Sequence, residues 1–253
     1  MASYLITGTL RGLGLTLFKQ LVSRPSSEVS IIFATARSES KALTELAERN
    51  PGRIFIVQLE AKSESSIKDA VKVVEEKLGG KGLDVLINNA AISYHTPAGI
   101  ATMDLMKNAR DDLDEHLVVN VIGVHMVTRA FLPLLQRGNS KKIVNITSTL
   151  GSITRAHFFK LVDTPGYKIS KSALNSLTMQ YSLAYEEERF TIFCISPGWL
   201  RTDLGGQHAD LDVEVGAKAT LEKIVGAGKE QNGRFLNIYV EGYPLYSGED
   251  CAW

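Results

Sequence analysis

The strongest fold signal lies in SYLITGTLRGLG, residues Ser3–Gly14. Its first five residues form a short apolar run of the kind found in buried strands. Glycines follow at positions 8, 12 and 14, and apolar residues then recur at helical spacing between Leu15 and Val22. This order predicts a strand, a glycine turn and a helix whose free N–H groups face a dinucleotide pyrophosphate. The alternative is an ordinary turn, because a glycine cluster by itself is a weak signal.

Strands alternate with helices along the rest of the chain. Further strands are predicted at Val29–Ala36, Arg53–Leu59, Asp84–Asn88, Lys142–Thr147, Thr191–Ser196 and Phe235–Val240. Helices are predicted from a cap at Ser63 to a glycine stop after Leu78, from about Asp111 to Gln136, and from about Tyr167 to Glu188. We therefore predict an α/β fold: a single Rossmann-type, doubly wound parallel sheet in the order 3-2-1-4-5-6-7, with helices on both faces. One domain is expected to cover residues 1–253.

Composition and charge exclude several classes of protein. The chain has 253 residues, 44% of them hydrophobic, which suffices for a sizeable core. Lys+Arg and Asp+Glu number 28 each, and this balance argues against a nucleic-acid partner bound by charge. We see no apolar run of membrane-spanning length and no signal peptide, so we expect a cytoplasmic protein without a membrane partner.

Cysteine usage points to a reducing compartment. Only Cys194 and Cys251 occur, and Cys194 lies within the apolar run Phe190–Ile195. A buried free thiol is the expected state of Cys194. Neither a disulfide framework nor a zinc-binding spacing is present, so no metal site is predicted.

Tyr167 and Lys171 stand four residues apart in the run YKISK. On a helix they would lie one turn apart on the same face. A phenol titrates near ~10 in water, and a nearby ammonium would lower its pKa toward the range useful for proton transfer. The pair therefore predicts proton exchange with a reacting carbonyl. The alternative is an exposed Tyr and Lys on a helix surface.

Other motifs follow the predicted strands in a characteristic order. They are N-N-A-A at Asn88–Ala91, Asn120 in the long helix, Ser148 after the fifth strand, and P-G-W-L-R-T at Pro197–Thr202. Together with the glycine turn and the Tyr167–Lys171 pair, they make the chain similar to the short-chain dehydrogenase/reductase family over essentially its whole length. The segment from Gln231 to Trp253 resembles the Sniffer and C-factor branch of carbonyl-reductase-like members.

The resemblance implies a catalytic role for four residues. Tyr167 would be the general acid in reduction, and Lys171 would lower its pKa and bind the nicotinamide ribose. Ser148 would hydrogen-bond the substrate oxygen, and Asn120 would hold a water that links Lys171 to solvent. Taken singly, Ser148 also fits a strand end and Asn120 a helix kink. The residues implied to bind the cofactor are Gly8, Arg11, Gly12, Leu13, Gly14, Arg37, Glu60, Asn88, Ala90, Tyr167, Lys171, Pro197, Gly198, Leu200 and Thr202.

The end of the second strand bears on the choice of cofactor. Folds that bind NAD often place a carboxylate there to hold the ribose 2′-OH. Here the strand ends in Ala36-Arg37, without an acid, and Arg11 supplies a second cation from the glycine turn. These cations suit a 2′-phosphate, so NADP(H) is the predicted cofactor. The alternative is that Arg37 only solvates the strand end.

Three departures from the family pattern stand out. Ala91 replaces the last glycine of N-N-A-G. The acidic residue expected near the adenine, usually the aspartate of an L-D-V-type run, is Glu60 here. Ser148 and Tyr167 are 19 positions apart, a longer spacing than is common in the family. The additional residues include Phe158 and Phe159, with Leu161 and Val162. They fit an apolar wall for a bulky or aromatic substrate and, equally, a loop that packs its own aromatics.

The leading functional hypothesis is an NADPH-dependent reductase of a small-molecule ketone or aldehyde. Two alternatives are a nucleotide-binding sensor with weak activity and a cyclase-like enzyme on the same scaffold. The intact Asn120, Ser148, Tyr167 and Lys171 argue against an inactive site. Apolar residues nearly surround the helix around Asn120, and the resemblance implies that such helices pair across a two-fold axis. We therefore expect a homodimer or homotetramer.

Overall fold

Short β-rich runs pair into one parallel sheet. The structure, a computed structural model, describes residues 1–94 and 110–253. The sheet consists of β1 (Ala2–Ile6), β2 (Val29–Ala36), β3 (Ile54–Gln58), β4 (Val85–Asn88), β5 (Lys142–Ile146), β6 (Thr191–Ser196) and β9 (Phe235–Asn237). Their order is β3-β2-β1-β4-β5-β6-β9. Since β9 is the seventh of these strands along the chain, the predicted order is confirmed. Two-residue strands, β7 (Leu200–Arg201) and β8 (Leu211–Asp212), form a separate parallel pair.

The helices connect these strands and cover the sheet. They are α1 (Gly12–Ser23), α2 (Lys41–Glu48), α3 (Glu64–Leu78), α4 (Arg110–Leu117), α5 (Val124–Gln136), α6 (Pro165–Ala184) and α7 (Val213–Gly226), with a π-helical segment (Val118–Gly123) between α4 and α5. Two of them, α2 and α7, were not predicted. Helix α2 is short and buries only Leu43, and the buried residues of α7 include Gly216, Ala217 and Ala219. The apolar residues of α7 give only a weak helical periodicity, whereas α2 is amphipathic but has only eight residues.

The ends of α3 match the sequence prediction. Ser63 precedes the helix, and its hydroxyl accepts the N–H of Ser66 at 3.2 Å. Gly79 follows the helix in the left-handed region at φ +57°. A hydroxyl cap and a left-handed glycine satisfy backbone groups that the helix leaves free. This helix is therefore encoded by local sequence at both of its ends.

Side chains of each strand alternate between two apolar layers. On one face Ile6 and Ile32 pack with residues of α1 and α7, and on the other Leu5 and Phe33 pack with residues of α3 and α5. Burial on both faces explains why these strands are continuous apolar runs. The predicted placement of helices on both faces is confirmed.

The helical stretch Leu113–Gln136 corrects one expectation. It has 24 residues and is, by length and composition alone, apolar enough to cross a membrane, whereas we expected no run of that length. In the structure α5 packs Val127, Phe131 and Leu135 against the sheet, between the strands β4 and β5 that it connects. It is a core helix, and its apolar character follows from covering a buried parallel sheet.

Parallel pairing brings the motif-bearing turns to one edge. All six strand pairs of the sheet are parallel, so the carboxyl ends of β1, β2, β4, β5 and β6 point the same way. The glycine turn, Arg37, Asn88–Ala91, Ser148 and Pro197–Thr202 each follow one of these strands. In open parallel sheets ligands bind at this edge.

Candidate active site

The glycine turn after β1 packs directly on the turn after β4. Gly8 has φ +74°, and a Cβ added to it would lie 2.9 Å from the Cα of Ala90. A Cβ on Gly14 would lie 2.2 Å from the carbonyl oxygen of Gly8. The hydroxyl of Thr7 accepts the N–H groups of Asn89 and Ala90 at 2.9 and 3.0 Å. Small residues are thus required by close backbone contact, as in a turn that admits a pyrophosphate.

The turn after β6 closes the other side of the glycine turn. Thr202 lies beside Gly12, since a Cβ there would be 3.4 Å from the Thr202 methyl carbon. The guanidinium of Arg11 pairs with the carboxylate of Asp203 at 2.6 Å, and both side chains are largely exposed. The predicted cofactor residues Gly12 and Thr202 are therefore neighbours in space although 190 positions separate them.

The segment Gly205–Ala209 connects β7 to β8. In the structure Trp199 Nε1 donates to the carbonyl of Gly205 at 2.7 Å, and Arg201 donates to the carbonyl of Ala209 at 2.9 Å. These bonds hold both ends of the segment to Pro197–Thr202.

Arg37 stands at the end of β2, as predicted. Its side chain is 66% exposed, and its Nε lies 3.9 Å from the carboxylate of Glu60. That distance is at the limit for an ion pair, and exposed pairs contribute little. Its guanidinium is therefore available to an anionic ligand at the carboxyl edge of the sheet, next to the acidic residue predicted to lie near the adenine.

The side chain of Asn88, one of the residues predicted to bind the cofactor, is buried and donates to Asn145 Oδ1 at 2.8 Å and to the Thr128 hydroxyl at 3.0 Å. The amide donors therefore link β4 to β5 and α5, while Oδ1 is buried without a hydrogen-bond partner among the described residues. A contact of Asn88 with the cofactor stays a prediction. Thr7 opens the glycine-turn motif and Asn145 lies in β5, but neither was predicted as a site residue, because a local pattern does not show which distant groups their side chains reach.

Tyr167 and Lys171 lie in the first two turns of α6, which begins at Pro165. Tyr167 is 8% and Lys171 2% exposed, so the alternative of a surface pair is wrong. The ammonium nitrogen of Lys171 is 5.5 Å from the centre of the Tyr167 ring and donates to the carbonyl of Ile146 at 2.8 Å. Ser148, two residues beyond β5, hydrogen-bonds the phenol. The structure thus brings these three predicted catalytic residues together.

Burial dominates the protonation of this pair. It raises the pKa of Tyr167 to about 12, and the hydrogen bond from Ser148 offsets only part of that rise. Burial also lowers the pKa of Lys171 to about 7. The expected lowering of the phenol pKa by the ammonium is therefore absent from this structure. The physical reason is desolvation, which disfavours both the phenolate and the ammonium. At neutral pH the phenol keeps its proton and can donate it.

Asn120 lies in the π-helical segment, with its side chain fully buried. Its Oδ1 accepts the N–H of Ile92 at 2.9 Å, and its Nδ2 donates to the carbonyl of Ile92 and to the Ser170 hydroxyl, each at 3.0 Å. Asn120 therefore ties the turn after β4 to α6, the helix that carries Tyr167 and Lys171. A π-helical segment often marks a functional site, because it disturbs the regular pairing of backbone carbonyls.

The additional residues between Ser148 and Tyr167 lie at the surface beside α6. Phe158 is 69% and Leu161 89% exposed. The ammonium of Lys168, next to Tyr167, donates to the carbonyl of Phe159 at 2.6 Å. The His157 and Phe158 rings are 3.9 Å apart, so part of the segment does pack on itself. The segment leaves apolar side chains open next to the catalytic helix.

A family model described as short chain dehydrogenase matches residues 3–211. That range includes the glycine turn, the four predicted catalytic residues and the turn after β6. The chain therefore belongs to the short chain dehydrogenase family and is an oxidoreductase.

Individual relatives span nearly the whole chain. Norsolorinic acid ketoreductase of Aspergillus parasiticus is 32% identical over 252 residues, covering 96% of this chain and 90% of the relative. The structure of an NADPH-bound carbonyl reductase from chicken fatty liver superposes with a TM-score of 0.87 at 32% identity, covering 100% of this chain and 94% of its own. The carbonyl reductase Sniffer of Drosophila melanogaster gives 0.85 at 32% identity, with 100% of both chains covered. The resemblance to carbonyl reductases of the Sniffer branch is confirmed.

The lowered pKa of Lys171 predicts a stability change with pH. Between about pH 7 and 10.5 the unfolded lysine holds a proton that the folded one has released, so the free energy of unfolding rises with pH in this window. We expect Lys171→Met to make that rise shallower in urea denaturation series. Lys41→Met, which alters a surface lysine, serves as the control and should keep the wild-type slope. Equal slopes for Lys171→Met and wild type would contradict the lowered pKa.

Proposed function

We propose that the protein reduces a ketone or aldehyde with NADPH, and that Tyr167 donates the proton. One observation carries the proposal: a protonated, buried phenol lies beside Lys171 and Ser148, on the sheet edge that also holds the glycine turn and Arg37. A proton donor and a dinucleotide cradle on one edge suit hydride transfer to a carbonyl.

Each catalytic side chain has a distinct task in this proposal. Tyr167 holds the proton that the developing alkoxide takes up. Ser148 donates a hydrogen bond to the same oxygen and stabilises its charge. Lys171, whose pKa is near 7, is protonated in part of the molecules at neutral pH, and its ammonium form stabilises the phenolate that Tyr167 becomes. Bound NADPH supplies the hydride.

The residues present fit NADPH. Close backbone contact at Gly8 and Gly14 leaves a turn without side chains after β1, which is what a pyrophosphate requires. Arg37 and Arg11 supply cations at this edge of the sheet; Arg37 stands 3.9 Å from Glu60, and Arg11 pairs with Asp203 at 2.6 Å. The carbonyl reductase from chicken fatty liver is an NADPH-bound relative at 32% identity, which supports the same choice here.

We further propose a bulky or aromatic carbonyl substrate. Phe158 and Leu161 present apolar surface beside α6, and Lys168 holds their segment there through Phe159. The similarity to norsolorinic acid ketoreductase, a ketone-reducing enzyme by its name, supports a ketone as the substrate class. A cytoplasmic protein of one domain, covering residues 1–253, completes the proposal.

Tyr167→Phe tests the proton donor. It removes only the hydroxyl and keeps the ring packed, so NADPH binding should persist while turnover falls by ~10²–10⁴, the usual contribution of general acid catalysis. NADPH dissociation constants and turnover would be measured with quinones, aromatic ketones and aldehydes. Tyr185→Phe, on the same helix's C-terminal side, is the matched control. Wild-type turnover by Tyr167→Phe would move the sensor and cyclase-like alternatives ahead of a reductase.

Arg37→Asp tests the cofactor. A bidentate, charge-assisted contact contributes roughly 1.5–3 kcal/mol, so NADPH affinity should fall on the order of tenfold to hundredfold while NADH affinity changes little. Titration of cofactor fluorescence measures both. Arg49→Asp, at the opposite edge of the sheet, should leave both affinities unchanged. A wild-type protein that binds NADH as tightly as NADPH contradicts the role of Arg37.

We also propose that the chain forms a homodimer or homotetramer through the helices around Asn120 and Tyr167. Ile122 and Leu183 expose 49% and 60% of their surface on these helices, and Ile169 exposes 37%. Pairing of two copies would remove this apolar surface from water. Light scattering at micromolar concentration should show two or four copies. A mass of one copy would exclude this assembly.

A further inference from the structure

His116 is a buried histidine beside the catalytic centre to which the proposed reaction assigns no task. It lies in α4, one helical turn before Asn120, and is 0% exposed. Histidine is rarely buried without polar contacts, because its ring carries a donor and an acceptor. Its surroundings therefore indicate what it does.

The imidazole contacts two tyrosines. The Tyr94 N–H donates to its Nε2 at 3.3 Å, and the Tyr94 ring lies edge-on at 5.3 Å between centres. The Tyr167 ring also lies edge-on, at 6.3 Å. Both separations fall in the range in which perpendicular aromatic rings attract one another. In a neutral ring an accepting Nε2 carries no hydrogen, so His116 presents one defined tautomer to this site.

His116 and Asn120 hold alternate residues of the segment that follows β4. Asn120 bonds both backbone groups of Ile92, and His116 accepts the N–H of Tyr94. Four residues of helix rise about 6 Å, and two residues of extended chain span about 6.6 Å. Two side chains one turn apart can therefore hold two alternate backbone residues at once. His116 and Asn120 thus hold the segment at Tyr94 and Ile92, and we call this pair of contacts the clamp.

We propose that His116 is a positioning residue: it fixes the turn after β4 through Tyr94 and sets the orientation of the Tyr167 ring. The catalytic half of this inference rests on the proposed function, in which Tyr167 is the proton donor. Lys171 and Ser148 act on the phenol group of Tyr167, whereas the contact described between His116 and Tyr167 joins the two rings. Its effect on the reaction therefore passes through the position of that ring.

Two variants distinguish the hydrogen bond that His116 accepts from the packing of its side chain. His116→Leu keeps apolar packing and removes the acceptor, and His116→Gln keeps an amide oxygen that can accept the Tyr94 N–H. Hydrogen exchange, followed by mass spectrometry, would be measured on a peptide that contains Ile92 and Tyr94. We expect faster exchange in His116→Leu and near-normal exchange in His116→Gln. His125→Leu, which removes a histidine bonded to Tyr181, should leave this peptide unchanged.

Kinetics on menadione test the second half. We expect His116→Leu to lower kcat by roughly two- to tenfold, the range of one net hydrogen bond, with an unchanged NADPH dissociation constant and partial rescue in His116→Gln. Unchanged exchange and unchanged kcat in His116→Leu would overturn the inference. Faster exchange with unchanged kcat would overturn the positioning of Tyr167.

The exchange measurement needs no turnover, so it separates failure of this inference from failure of the proposed function. A wild-type protein that reduces no carbonyl would contradict the proposed reductase activity. The hydrogen-exchange data would still show whether His116 holds the segment at Tyr94. Should His116→Leu fail to fold, His116→Asn replaces it, because its shorter amide does not reach Tyr94. Exchange as slow in His116→Asn as in wild type would then overturn the clamp.

Discussion

Close contact between the turns after β1 and β4 is the constraint on which the site depends. A side chain at Gly8 would run into the backbone of Ala90, and Thr7 accepts both N–H groups that open the second turn. The two central strands of the sheet therefore end in turns that share hydrogen bonds. The glycine turn after β1, where a phosphate would bind, therefore lies at a fixed distance from the residues that follow β4.

Hydrogen bonds also join the turn after β4 to α6, the helix of Tyr167 and Lys171. The turn after β4 leads to Ile92, which Asn120 holds from the π-helical segment, and Asn120 also bonds Ser170 in α6. Tyr167 and Lys171 belong to the same helix as Ser170. Hydrogen bonds to both ends of the turn after β4 thus link the glycine turn to α6, the helix of Tyr167. A polar network whose members are satisfied makes the elements that it joins rigid.

Burial shapes the electrostatics of the pair itself. Lys171 reaches the carbonyl of Ile146, and its ring-to-ammonium separation from Tyr167 is 5.5 Å. Where water is excluded, the neutral phenol is favoured over the phenolate and the neutral amine over the ammonium. The pKa of Tyr167 therefore rises while that of Lys171 falls. Simple pairing of a phenol with an ammonium predicted the opposite direction for Tyr167. The four-residue spacing was right, but spacing contains no information about desolvation.

The sequence by itself determined the order of the strands and helices along the chain, the caps of α3 and the spacing of the glycine turn and of Tyr167–Lys171, because each of these is encoded by a short local run of residues. It missed α2, which has only eight residues, and α7, whose apolar periodicity is weak. Only the tertiary structure determined that Tyr167 and Lys171 are buried and which side chains Asn88 and Asn120 contact. It also determined the position of His116 between Tyr94 and Tyr167. The physical reason is that burial and long-range contacts depend on residues far apart in the chain, which no local pattern specifies.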